Sequence, residues 1–248
     1  MEWSDDAIIL ALRRHGESSA IISLLTRSRG RQSGLIRGAR GRGARSFLQP
    51  GSQIRATWRA RLAEHLGTVA WEPVAPVSPD VLDDAARLAA LAAACAMAEA
   101  ALPEREPQDG VYAGLVAVLG SLADDAVWPS ALVKWEAGLL QALGYGLDLS
   151  ACAATGTTED LAYVSPRSGR AVSRTAGAPY QQRLLPLPAF LIVPGATGSR
   201  AEALAGLELT GYFLERNVFR AHGRAPPPAR QRLLDILRRQ GAAEERRR

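Results

Sequence analysis

Residues 53–62, QIRATWRARL, alternate strictly: Ile54, Ala56, Trp58 and Ala60 interleave with Arg55, Thr57, Arg59 and Arg61. A period of two means a strand with one face buried and the other lined by arginine and threonine. No helix can satisfy that pattern, and it is not alone. Ala7 to Leu12 (AIILAL), Ser18 to Thr26 (SSAIISLLT), Ser33 to Arg37 (SGLIR) and Gly67 to Val74 (GTVAWEPV) are further short apolar or β-branched runs, separated by turns bearing Gly or Pro. Five short strands inside about eighty residues predict a small closed barrel, and the five-stranded Greek-key barrel of the OB type is the best candidate.

Between the second and fourth runs lies Arg27 to Arg45, RSRGRQSGLIRGARGRGAR, with seven arginines, five glycines and no acid. Guanidinium groups carry a permanent charge and a planar fork of donors matched to phosphate. Glycine lets the backbone approach a ligand closely. The run is expected to form the loop leaving the third strand. As a nucleic-acid surface it offers Arg27, Arg29, Arg31, Arg37, Arg40, Arg42 and Arg45, with Arg55, Arg59 and Arg61 added from the barrel face. Phe47 and Trp58 are the aromatics near the run, and Trp58 shares the buried parity. More phosphate contact than base stacking is therefore expected, with weak sequence preference.

The net charge of +5 is unevenly spread. Residues 1–80 carry 12 basic and 7 acidic groups, residues 81–149 carry 3 and 10, and residues 150–248 carry 15 and 8. Basic ends around an acidic middle suggest an anionic partner for the ends and a separate role for the centre. Two cysteines are too few for a disulfide framework, and the longest apolar run, Leu88 to Ala98, is too short to span a bilayer. A cytoplasmic protein is expected.

After residue 78 the pattern turns helical. Ser78-Pro79-Asp80 has the form of a helix start, with a capping serine and proline at the first position, opening an alanine-rich helix to about Leu102. Val111 to Leu122 and Pro129 to Leu143 follow, then Arg200 to Ala221 and Pro228 to Gln240. Residues 146–177 interrupt this series with turn residues and one strand candidate, Leu161 to Val164. The expected architecture is α+β and multidomain: an OB barrel over 1–78 and a helical domain over 79–248 carrying the 146–177 insert.

Catalytic signatures are missing. G-x-S-x-G, H-E-x-x-H and the phosphate-binding G-x-x-x-x-G-K-[ST] do not occur. Gly41 and Gly43 open a G-x-G-x-x-G frame, but Ser46 fills the last glycine position and no helix is expected after it. His15, His65 and His222 are far apart, and the acid pairs Asp5–Asp6, Asp83–Asp84 and Asp124–Asp125 fall at surface or helix-start positions. Cys95, in LAAACAMA, has the setting of a small buried thiol. Cys152 heads C-x-x-T-G, and 21 residues later comes S-x-x-A, Ser173 to Ala176. A zinc ribbon needs C-x-x-C at both places. With Thr155, Ser173 and Ala176 in three of the four positions, this is the shell of a ribbon without its metal, and no cofactor is expected.

Taken together, GESSAIISLLTRSRGRQSGLIRGAR, LQPG-x-x-I-x-A-T-W, WEAGLLQALGYGLDLSACAATG and AYVSPRSGRAVS resemble the RecO family of bacterial recombination mediators over about residues 2–240. The resemblance implies an N-terminal OB fold, a helical domain and a ribbon insert that holds metal in some members only. It also implies a nucleoid-associated protein that binds single- and double-stranded DNA, anneals complementary strands and loads RecA onto DNA coated by single-strand binding protein, with RecR as co-mediator. The acidic tail of single-strand binding protein is then expected on the helical domain, and Lys134, Trp135, Arg216 and Arg220 are the candidate contacts. Two other readings fit the basic loop alone: an RNA- or ribosome-binding OB protein, and an adaptor that contacts acidic protein rather than nucleic acid.

Overall fold

The computed structural model describes residues 1–39, 41–62 and 64–245, the side chains of 42, 45, 46, 244 and 245 excepted. Five strands come first: β1 (Glu2–His15), β2 (Ser19–Thr26), β3 (Gly30–Ile36), β4 (Gln53–Arg59) and β5 (Thr68–Ala75), with a short helix α1 (Arg42–Phe47) between β3 and β4. They close in the order β1-β2-β3-β5-β4, which is the OB barrel expected from the alternation. β1 is the long curved strand. Its first half pairs with β4 (Glu2↔Arg59 to Ile8↔Gln53) and its second half with β2 (Ala7↔Thr26 to His15↔Ser19). One parallel pair, Leu35↔Thr68, joins β3 to β5.

The barrel interior is the alternating set: Ala7, Ile9, Ile22, Leu24, Ile36, Ile54, Ala56, Trp58 and Val69. Helix α1 adds Ala44 and Phe47, followed by Leu48, and Phe47 stacks on Trp71 at 5.6 Å. The G-x-G frame at Gly41 is therefore not followed by coil. Ala44, Phe47 and Leu48 recur at helical spacing and anchor one short turn of helix over the barrel.

Four helices come next: α2 (Pro79–Leu82), α3 (Ala85–Ala101), α4 (Asp109–Ser121) and α5 (Trp128–Ala142). The expected single helix from Ser78 is broken. Ser78 makes no side-chain cap bond, and α2 ends at once. Asp84 then caps α3, accepting from the Ala86 and Arg87 amides at 2.9 and 2.8 Å. Alanines let α3 lie close to its neighbours, and Ala90, Ala94, Met97 and Ala98 are fully buried.

Strands β6 (Leu161–Val164) and β7 (Ala171–Ser173) form the insert hairpin, with the short helix α6 (Arg174–Gly177) after it. β8 (Leu185–Pro186) completes a sheet in the order β7-β6-β8. Helix α7 (Arg200–Phe213) starts at a full capping box between Ser199 and Glu202, continues through a π turn to Phe219, and is followed by α8 (Pro228–Glu245). By contacts the chain forms two compact units. One holds Met1–Ala123 with Pro227–Leu233, and the other holds Asp124–Pro226 with the chain from Leu234 onward. Helices α2–α4 thus belong with the barrel.

Candidate nucleic-acid interface

OB folds commonly take oligonucleotides on the outer face of strands 2 and 3, between the loops that join strands 1–2 and 4–5. Here that face is covered by the protein itself. Ile8 and Leu25 are register partners on the outward parity, yet both are fully buried, because α3 packs against β1 and β2. Arg31, on β3, is turned inward on this cover: its Nε donates to the Leu102 carbonyl at 2.9 Å and its guanidinium pairs with Glu104 at 3.1 Å. Ser33 donates to the same carboxylate at 2.9 Å.

The cover reaches further through the loop Pro103–Pro107. Arg105 donates its amide to the Arg31 carbonyl at 2.8 Å. This demands glycine at residue 30, where φ is +69° and a Cβ would lie 1.9 Å from the Glu106 carbonyl oxygen.

Both β4 arginines are also engaged. The register sets Arg55 between Asp6 of β1 and Glu72 of β5, and Arg59 opposite Glu2. Arg55 pairs with Asp6 at 2.7 Å and Arg59 with Glu2 at 2.8 Å. Those bonds, and then the acids' charge, push both guanidinium pKa values above their ordinary value. The outer face of β4 is a ladder of paired charge rather than an open cationic strip.

What stays open are the loops. Arg14 pairs with Ala20, which pairs with Ile36, and Arg37 follows directly. The Leu35 amide donates to Gly67 at the end of the loop that carries Arg61. Three loops therefore meet at one end of the barrel, where Arg14, His15, Arg37 and Arg61 are exposed. Among the described residues, Arg14, Arg37 and Arg61 form no ion pair. On the β2–β3 hairpin Arg27 and Arg29 are exposed, and the turn is fixed by Asp5, which accepts from the Ser28 amide at 2.7 Å and the Ser28 hydroxyl at 2.8 Å. Arg40 lies outside the described residues, as do the side chains of Arg42 and Arg45. Arg14 and His15 were not among the sequence candidates. Only the pairing register brings them beside Arg37.

The four candidate contacts on the helical unit each have separate surroundings. Lys134 donates to the Ala196 carbonyl at 2.6 Å and lies 5.9 Å from the Phe190 ring centroid. Trp135 is buried. Arg216 donates to the Pro166 carbonyl in the insert, and Arg220 pairs with Glu215 at 2.7 Å while remaining 74% exposed.

In the insert, Cys152 is buried against Tyr163 and Val172, with Ala176 packed beside them. Burial pushes its thiol up. Hydrogen bonds from the Ser173 and Thr155 side chains and from the Ser173 and Ala154 amides outweigh it and hold the pKa at about 6. The hydroxyls standing where ribbon cysteines would be are turned onto the one remaining sulfur. Among the described residues no group of three or more His, Cys, Asp or Glu is placed to hold a metal ion, and no helix is long and apolar enough to cross a membrane.

An OB barrel with arginine-bearing loops, built into one unit with its own helical cover and joined to a second unit that carries a small hairpin insert, defines the class of protein. Comparison with known proteins gives the family. The model for Recombination protein O N terminal matches residues 1–77 and that for Recombination protein O C terminal matches 82–239. A DNA repair protein RecO from Rhodospirillum rubrum is 55% identical over 250 residues, covering 98% of this chain and 99% of its own. The protein of that name from Phenylobacterium zucineum is 51% identical over 237 residues, with 96% and 98% covered. The one from Caulobacter vibrioides is 48% identical over 237 residues, again with 96% and 98% covered. This chain belongs to the RecO family of DNA repair proteins.

Proposed function

We propose that the protein is a recombination mediator that binds DNA through the loop end of its barrel. It holds single- and double-stranded DNA by the backbone, anneals complementary strands and, with RecR, helps load RecA onto DNA coated by single-strand binding protein. None of these steps breaks a covalent bond, so the role needs a surface and no catalytic constellation. The observation that carries the reading is the set of exposed arginines without ion pairs, Arg14 at the end of β1 and Arg37 and Arg61 on the loops, that the strand register gathers at one end. Backbone contacts of this kind are insensitive to sequence and strongly sensitive to salt. For the tail of single-strand binding protein, Arg220 is the best exchanger of the four helical-unit candidates, since its exposed pair with Glu215 is cheap to replace by another carboxylate.

The test is a salt titration of labelled single-stranded DNA. Each neutralised phosphate contributes about −0.7 to the slope of log affinity against log salt, so replacing Arg14, Arg37 and Arg61 by alanine flattens the slope by about 2. An unchanged slope overturns the assignment of this end. Matched RNA binding as tightly as DNA at the same salt favours the RNA-binding reading.

A further inference from the structure

The barrel unit contains a groove of about 270 Å³ whose lining includes Trp3, Ser28, Arg29, Gln32, Arg105 and Pro107. Its floor is aromatic. Trp3 stacks on Trp58 with centroids 5.8 Å apart and planes 10° from parallel. Trp58 is fixed from below, donating its indole N–H to the Leu66 and Ser33 carbonyls at 3.0 and 3.2 Å. Gly67 makes room for that ring, since a Cβ there would lie 2.4 Å from Cε2. Trp58 is 3% exposed, so the pile of two rings ends at Trp3, which is only partly buried.

The walls are polar and cationic. Arg29 and Arg105 are exposed, and Arg105 holds a left-handed backbone with φ of +64°. Non-glycine residues rarely adopt that conformation, and it is retained where the surrounding structure over-determines it. Here the docking of Pro103–Pro107 on the hairpin does so. Gln32 is 7% exposed, with its Nε2 donating to the Arg29 carbonyl at 2.8 Å. Its Oε1 has no partner among the described residues, which leaves an acceptor in the groove for an exocyclic amine or ring N–H.

We propose that this groove takes a single unpaired nucleotide. The base stacks on Trp3 as the third ring of the pile, its edge meets Gln32, and its phosphate lies on Arg29 and Arg105. An acidic peptide is the poorer fit, because a flat, doubly stacked floor rewards a planar π system. The proposal rests on the DNA-binding reading and adds a stacking site to its backbone contacts.

The experiment is photo-crosslinking of the full chain to an oligo(dT) carrying one 5-iodo-deoxyuridine, with peptides mapped by mass spectrometry. The expected adduct lies in the peptide containing Trp3. Arg105→Ala, an exposed change outside the barrel core, should remove most of that adduct and weaken binding of a pentamer about tenfold, the order of one stacked base. Trp3→Leu should do the same, and circular dichroism reports whether its fold survives. Absence of any adduct at Trp3 in the wild type overturns the proposal, as does an Arg105→Ala variant that crosslinks and binds normally. If the variant lacking Arg14, Arg37 and Arg61 then loses affinity, the groove alone is refuted. If neither set of changes matters, both readings fall. Displacement of no oligonucleotide, together with binding of an acidic peptide at Trp3, likewise refutes the nucleotide.

Discussion

Arg31 lies within the basic run, yet its guanidinium serves the fold. Replacing it by alanine removes the Nε bond to the Leu102 carbonyl and the pair with Glu104, and leaves that carbonyl short of a donor. A hydrogen bond to a charged group is worth about 1.5–3 kcal/mol when its neutral partner is kept from water. The Glu104 pair adds less, about 0.5 kcal/mol, since that carboxylate is 42% exposed. A loss of about 2 kcal/mol follows, which for a chain of this size lowers Tm by about 4–8 °C. Tryptophan fluorescence follows the transition, with Trp3, Trp58 and Trp71 reporting from the barrel. Arg31→Lys should recover part of the loss, because it keeps the charge and loses the fork. Arg37→Ala is the counterpart, with Tm within about 1 °C of wild type and weaker DNA binding. The reasoning is refuted if Arg31→Ala melts like wild type and weakens DNA binding as Arg37→Ala does.

Gly30→Ala should destabilise by about 2–4 kcal/mol in urea unfolding, from a left-handed backbone and a Cβ 1.9 Å from the Glu106 oxygen. Release of Pro103–Pro107 should also cost the Trp3 crosslink. Cys152 gives a pH dependence. Its folded pKa of about 6 is below the ordinary 9.0, so its contribution to stability is complete above pH 9 and is lost as pH falls toward 6. The Tm advantage of wild type over Cys152→Ala should shrink across that window, and a constant difference would show the thiol stays protonated.

The barrel was legible because its signal is local. Ile54, Ala56 and Trp58 alternate with Arg55, Thr57 and Arg59 in the sequence and in the strand. β1 extends beyond the expected run of Ala7 to Leu12, since nothing local shows that Glu2 and Asp6 lie opposite Arg59 and Arg55. Helix α1 was hidden by its glycines, although Ala44, Phe47 and Leu48 carried the spacing. The fate of Arg31 had no local signal at all, because Glu104 is 73 positions away. Trp3 lacks a local signal for the same reason. Its stacking partner, Trp58, arrives through the β1–β4 register.

The uneven charge of the chain acquires a physical meaning from these pairs. An acidic middle segment suggested a function separate from the basic ends, but its first acids are turned onto the barrel. Glu99 pairs with Arg13 at 2.7 Å and Glu104 with Arg31, both inside the unit that contains the barrel. With Glu2 and Asp6 taking Arg59 and Arg55, the chain neutralises arginines along the strands and on the face an OB fold commonly gives to its ligand. On the barrel, the arginines without ion pairs among the described residues are then Arg14, at the end of β1, and Arg27, Arg29, Arg37 and Arg61 on the loops. Loops can follow a flexible strand and release it, since they hold its backbone and, apart from the nucleotide proposed for the Trp3 groove, leave its bases free. Covering the strand face and leaving charge on the loops suits the proposed annealing role, because base edges outside the proposed Trp3 groove remain free to find their complement.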